Sequence, residues 1–428
     1  WQTSIKTATF TAASGEGYFC NTSGGAFTLN LPSSPSVGDI VALKDYAGRF
    51  GTNNLTIGRG GSNLNGAASD SVRNTDNESL TLVYADATQG WLAVEEGTGY
   101  VGETFMSATG GTITTSGNCK IHTFTGPGTF TVCAISSVAA NNIVSHLVVA
   151  GGGGGGGTTA NPGSPYSSGG GGGAGGYREV KNPLNSYTAS PLDGYPSAPN
   201  RVTVTAAAFP ITVGAGGAGG PGTCNGASGT NSVFSTITSA GGGFGTYRES
   251  PTPAGPGGSG GGGGGLGPGG FSGVADIAGT GNTPPVSPAQ GSNGGNGSLT
   301  PYTCNGAQGG GGGGATAVGV AGTKQLGGNG GAGATSSING SPVARAGGGG
   351  GGVYVCTGAG ACGSGTGGTG GGGPGGPAGG STTPGAGQAG STNTGGGGGG
   401  GSTQGPDATA RGGGTGGSGI VIIRYRFQ

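Results

Sequence analysis

The sequence predicts an all-β, partly irregular fold in three parts. An N-terminal β assembly module spans residues 1–100, and a small β-sandwich spans 101–150 plus 420–428. A glycine-rich, polyglycine-II-like lattice over 151–419 is inserted before the last strand. Three observations predict this arrangement. Short alternating or apolar runs fill residues 1–150, glycine runs of similar length fill 151–401, and one apolar run, Ile420-Val421-Ile422-Ile423, closes the chain.

In the first part, Thr7 to Ala12, Ala26 to Leu31, Ile40 to Leu43, Leu55 to Ile57, Leu80 to Tyr84 and Gly90 to Val94 have the length and patterning of strands. Pro32, Pro35, Gly38 and Asn53-Asn54 punctuate them. The apolar content is modest, so this module is expected to bury one face against copies of itself, as a homotrimer. In the second part, Ile121 to Phe124 and Thr129 to Val132 flank Gly126-Pro127-Gly128. That spacing predicts a hairpin, with Cys119 and Cys133 as cross-strand neighbours. Asn142 to Val149 then runs straight into the first glycine block. The closing strand must pair with something, and its expected partner is the Leu147 to Val149 strand or that strand's neighbour. Residues 151–419 become a long excursion from the sandwich, which loop-closure entropy permits because its cost grows slowly with length. Arg201 to Thr205 and Pro210 to Val213 are further strands inside the excursion.

The excursion carries seven runs of four or more glycines: 151–157, 169–173, 260–265, 309–314, 347–352, 370–373 and 395–401. Ordering the 119 glycines of this chain costs on the order of 100 kcal/mol or more of backbone entropy. No side-chain core in this stretch offsets that, so the region is either a tether or a lattice held by its own backbone. Similar run lengths and alternation with specific segments favour the lattice. In a threefold extended helix at ~3.1 Å per residue, six residues span about 19 Å. Rods of that length can lie side by side and satisfy each other's N–H and C=O groups. Collagen is excluded, because glycine does not recur at every third position through the chain.

Charge excludes other classes. Charged residues are 7% of the chain and the net charge is zero, which leaves no electrostatic footprint for nucleic acid. Residues 1–103 carry ten acidic and five basic side chains, whereas 104–428 carry five and ten. No run approaches eighteen apolar residues, so no transmembrane helix is expected. The chain opens at Trp1 without an initiating Met, as expected of a trimmed parent chain, and no leader peptide is recognisable. Seven cysteines are present. Cys224 and Cys304 share the context Thr-Cys-Asn-Gly-Ala and could pair, as could Cys356 with Cys362, while free thiols are the alternative.

Several of these segments carry a resemblance. His122 to Val132, Leu147-Val-Val-Ala150 followed by glycines, Ile211 to Gly220 and Gly417 to Tyr425 resemble the glycine-rich domain of tailed-phage virion proteins. Leu29 to Asp39, Asn53 to Ile57 and Leu82 to Tyr84 before Trp91 resemble β modules of phage tail fibres. The resemblance implies a virion-borne, extracellular tail-fibre or adhesin role, of the kind in which polyglycine rods present loops at one end. It also implies as partners other fibre proteins and a host cell-surface glycan or outer-membrane protein.

Catalytic signals are weak. The two histidines, His122 and His146, lie in predicted strands among apolar residues, which favours structural roles over metal binding. Gly257-Gly-Ser259-Gly-Gly261 matches a nucleophile elbow, but no strand precedes it. Glu95-Glu96 is the one adjacent acidic pair, and neighbours on a strand point to opposite faces. No cofactor, metal site or enzymatic activity is expected. Binding chemistry is expected instead in the segments between glycine runs, where Tyr166, Tyr187, Tyr195, Tyr247, Tyr302 and Tyr354 are receptor-binding candidates. Rigid amphipathic rings give contact area at low entropic cost. Tyr177 and Phe209 are expected to pack as plugs. The alternatives are a structural subunit of an extracellular filament or virion decoration, and a glycan-degrading tail spike.

Overall fold

A computed structural model describes residues 1–98, 104–158, 167–266, 276–298, 307–355, 363–377, 385–404 and 409–428. The chain is all-β and irregular, with several small sheets, and its described helical residues are two 3-10 turns at Ala139–Asn142 and Ala198–Asn200. It forms two compact units, Trp1–Glu103 and Thr104–Gln428.

The first unit is a two-sheet roll. Phe10–Thr11, Phe27–Asn30, Leu55–Gly58 and Ser71–Arg73 form one sheet, and Glu16–Cys20, Ile40–Asp45, Glu78–Asp86 and Gly90–Thr98 form the other. The first five strands alternate between the sheets, so Phe27–Asn30 lies parallel to Leu55–Gly58 and Glu16–Cys20 parallel to Ile40–Asp45. Parallel neighbours need a crossover, and here a strand of the opposite sheet supplies it. Tyr18, Leu29, Leu43, Leu55, Ile57, Leu80 and Trp91 fill the core between them. Asp45, 2% exposed, accepts backbone N–H bonds from Ala47, Gly48, Arg49, Phe50 and Asn77, which fixes the turn after its strand.

The second unit starts from a β-sandwich. One sheet orders Thr112–Ser116, Cys119–Phe124, Ile420–Arg426, Ile143–Val149 and Tyr177–Val180. The closing strand therefore pairs antiparallel with Ile143–Val149, as its apolar run requires, and also with Cys119–Phe124 on its other side. The second sheet orders Ile237–Ser239, Ser232–Phe234, Ala208–Thr212, Gly128–Ala134 and Ser107–Thr109. The hairpin expected at Gly126-Pro127-Gly128 does not form. Cys119–Phe124 belongs to the first sheet and Gly128–Ala134 to the second, so the turn carries the chain between layers and Cys119 and Cys133 are not cross-strand neighbours. The physical reason is that each strand is taken by a partner in its own layer: Ile420–Arg426 for one, Ala208–Thr212 for the other.

The continuous apolar run of the closing strand is explained by burial on both faces. Val421, Ile423 and Tyr425 face Phe130, Val148, Ile211 and Phe234 in the inter-sheet core. Ile420 and Ile422 face the other way, onto Leu147, Val149, Tyr177, Ile338 and the alanines Ala174, Ala315 and Ala346. Those alanines are the ends of glycine rods.

The rods form a lattice of threefold extended chains. Along rod 150–158, Gly151 donates to Thr230, Gly152 to Gly417 and Gly153 to Gly173; Gly154, Gly155 and Gly156 then repeat the cycle to Ala227, Gly414 and Gly170. Residues three apart thus bond the same neighbour, as three residues per turn demand. The carbonyls serve three other rods: Gly151 and Gly154 accept from Gly242 and Gly245, Gly152 and Gly155 from Gly217 and Gly220, and Gly153 and Gly156 from Gly398 and Gly401. Rods 167–176, 309–314, 347–352 and 395–401 follow the same pattern. A rod enclosed on every side tolerates no Cβ. At Gly312 a Cβ would lie 1.9 Å from the Gly172 carbonyl oxygen, and at Gly311 it would lie 2.1 Å from that of Asn329. This is why the long runs are the inner rods. Outer rods keep glycine at inward positions and expose every third residue: Ala215, Ala218 and Pro221; Asn293 and Asn296; Thr366 and Thr369; Pro374 and Pro377.

Gly312→Val is expected to abolish folding of the Thr104–Gln428 unit, read as loss of protease resistance. Ala215→Val on an exposed outer position should change stability by less than about 0.5 kcal/mol. Equal resistance of the wild-type chain and Gly312→Val would mean that the runs are tethers.

Candidate functional site

Successive rods alternate in direction, so the lattice has two ends. Rod 150–158 leaves the sandwich strand Ile143–Val149, and rod 167–176 returns to Tyr177–Val180. The far end gathers the described residues that flank six sequence segments, 159–166, 267–275, 299–306, 356–362, 378–384 and 405–408. Thr158 N–H bonds Arg411, Ser167 pairs with Leu266, Ser298 bonds Gln308, Tyr354 pairs with Thr403, and Ser402 N–H bonds Gly385.

Where the rods stop, side chains replace the missing rod neighbours. Gln308 is fully buried; its Oε1 accepts from the Tyr354 N–H at 2.8 Å, and its Nε2 donates to the Tyr354 carbonyl at 3.2 Å and the Lys324 carbonyl at 3.3 Å. The amide thus acts as one more backbone unit. The Ser168 hydroxyl donates to the Ala307 carbonyl at 2.6 Å, Thr403 to Ser167 at 2.5 Å and Ser402 to Gly376 at 2.6 Å. Buried polar groups need such partners, and the result is a stiff platform formed by the described residues that flank the six segments.

The structure separates the tyrosines grouped from sequence. Tyr354 is 2% exposed and plugs this platform, so its ring is packing rather than contact surface. Tyr247 stands at the platform end, half-buried, with its N–H on Asn225 Oδ1 at 3.0 Å; burial first, and Glu249 second, raise its phenol pKa. Tyr187 and Tyr195 lie at the opposite, sandwich end. The Arg424 guanidinium sits 5.2 Å from the Tyr187 ring centre and Arg201 sits 4.5 Å from that of Tyr195. Burial raises the Tyr187 pKa, with Glu179 adding to it. Tyr166 and Tyr302 lie outside the described residues, as do Cys304, Cys356 and Cys362. Cys20 and Cys119 are buried free thiols, while Cys133 and Cys224 are exposed ones. Burial, with Asp45 nearby, pushes the Cys20 thiol up to about 12. Tyr177 is buried, its hydroxyl donating to Glu179 Oε2 at 2.9 Å, and Phe209 packs at the edge of the inter-sheet core.

Both histidines are packed in the sandwich. His122 Nδ1 lies 2.7 Å from the Gly110 carbonyl and Nε2 lies 3.3 Å from the Tyr425 hydroxyl, so the neutral ring donates through Nδ1 and accepts at Nε2. Burial lowers its pKa. His146 is wholly buried against Phe234; burial, and then the Arg178 cation, push it down to about 3. Glu96 shares Arg73 with Glu78, at 3.1 and 2.8 Å. Among the described residues no three His, Cys, Asp or Glu side chains gather as metal ligands.

Sequence reasoning overlooked Gln308, the exposed third positions of the outer rods and the buried Arg424. The first two had a signal: a polar residue immediately before a glycine run, and local Gly-Gly-X triplets. With this geometry in place, a family described as a glycine-rich domain matches residues 124–426. No curated protein matches the chain.

Two outcomes follow. His146 is neutral in the fold, whereas the unfolded chain takes up a proton below its ordinary value of about 6.5. Its contribution is whole above that pH and is lost as pH falls towards about 3, by up to about 1.4 kcal/mol per pH unit. Denaturation midpoints should drop between pH 7 and pH 4.5, and His146→Leu should flatten that slope. Tyr354→Ala should destabilise by about 3–5 kcal/mol in the same measurement, whereas Tyr247→Ala should cost less than about 1 kcal/mol.

Proposed function

The chain belongs to the glycine-rich domain family, and from that premise we propose that it is a non-enzymatic adhesin of the phage tail-fibre type. It displays segments on a rigid glycine-rich scaffold and binds a host cell-surface glycan or outer-membrane protein through them. One observation carries this reading: six chain segments start and finish on a single platform whose backbone is tied into the lattice. A stiff base reduces the ordering cost that a binding loop otherwise incurs. Two of the segments, 159–166 and 299–306, bring Tyr166 and Tyr302, and half-buried Tyr247 stands at the platform end. The first unit supplies assembly with other fibre proteins, as a homotrimer.

The test uses the purified full chain and candidate host cells. Exchanging segments 159–166 and 299–306 for those of a homologue with another host should redirect binding. Tyr302→Ala should weaken binding at least about tenfold, equivalent to about 1.4 kcal/mol, with an unchanged melting temperature. Unaltered host range after the exchange would sink the reading. Polymerisation without host binding would favour a filament subunit, and release of sugar fragments would favour a glycan-degrading spike.

A further inference from the structure

The sandwich end holds a feature unrelated to the platform and independent of the adhesin reading. Arg424 and Arg426 are two apart on the closing strand and so share a face. Together with Ser116, Asn118, Leu184 and Ser186 they line a pocket of about 290 Å³. Arg424 is 2% exposed, which places a permanent cation inside the protein. Its Nη1 donates to the Ile338 carbonyl at 3.1 Å, and its Nη2 donates to the carbonyls of Ser186 at 3.1 Å and Ser116 at 3.4 Å. Its Nε is buried without a partner. Arg426 uses Nε on the Gln428 carbonyl at 2.8 Å and stacks near Phe105.

These acceptors are neutral. Among the described residues neither Arg424 nor Arg426 forms an ion pair with a carboxylate, whereas Arg73 pairs with Glu78 and Glu96. The nearby acids are committed elsewhere. Glu179 accepts from Tyr177, Ser190 and Ser336, and Asp193 accepts from the backbone of Lys181 and Tyr195. A buried charge is costly unless it meets an opposite charge. Lys181, over the Tyr187 ring that Arg424 also covers, adds to the positive field, and residues 104–428 carry twice as many basic as acidic side chains.

We propose that this pocket is an oxyanion-binding site that takes a carboxylate or phosphate group of a small ligand. The Arg426 guanidinium, whose Nε alone is taken by Gln428, matches either group with paired Nη donors, the Arg424 charge lies behind it, and Ser116, Ser186 and Asn118 line the same space. The volume fits one sugar-sized unit, at the lower limit of small-molecule pockets.

The full chain is titrated by calorimetry with inorganic phosphate, with glucuronate and with sodium chloride at matched ionic strength. One site per chain is expected for phosphate or glucuronate, and the tighter of the two identifies the source of the anion. Arg426→Ala, at the open side of the pocket, should weaken that binding at least tenfold while the protein stays folded. Arg426→Lys keeps the charge but loses the fork and should do the same. Binding no stronger than that of chloride, or unchanged affinity in folded Arg426→Ala, would overturn the assignment.

Discussion

Everything in the larger unit depends on one interaction, the backbone hydrogen bond between neighbouring extended rods. Each inner glycine donates to one rod and accepts from another, and the direction turns by a third of a circle at each residue. The rods lie so close that carbonyl oxygens occupy the space of a Cβ. Glycine here serves close approach rather than turning, which is the opposite of its usual use as a loop residue. Because every bond is shared between rods, the lattice is cooperative: no single rod has a structure of its own.

The sandwich acts as the clamp that sets the lattice's starting register. Ile143–Val149 and Ile420–Arg426 lie side by side, so the first and last rods begin from adjacent points on one sheet. The lower face of that sheet packs on the alanines that end several rods. Where rods meet side chains, small apolar residues close the sandwich end, and Gln308, Ser168, Ser402 and Thr403 close the other. The two ends therefore differ in chemistry: one is an apolar junction rimmed by arginines, the other a polar platform from which chain segments depart.

The lattice and the pairing of the closing strand were legible in the sequence, because glycine content and an apolar run speak through local chemistry. The hairpin at Gly126-Pro127-Gly128 was misread because a turn sequence states that the chain reverses, not which layer each strand joins. The tyrosines were read as one set because sequence spacing does not reveal which end of a rod a residue occupies. Tyr354 and Tyr247 are both aromatic residues that follow glycine-rich stretches, yet Gln308 holds the backbone of one inside and the other remains half-open. Arg424 gave no signal at all, since its significance lies in the missing carboxylate around it.

The sequence by itself determined that this chain is all-β and irregular, that its glycine runs form extended rods, and that its final strand returns to the strand before the first run. These follow from the absent Cβ and from apolar periodicity, which are properties of short stretches. Only the tertiary structure decided which rods are enclosed, which residues become plugs and where the two ends lie. Those depend on which rods become neighbours through bonds between residues as distant in sequence as Gly152 and Gly417, and backbone groups are identical at every glycine. A sequence of indistinguishable donors and acceptors can announce a lattice, but only the packing of its ends and loops selects the arrangement.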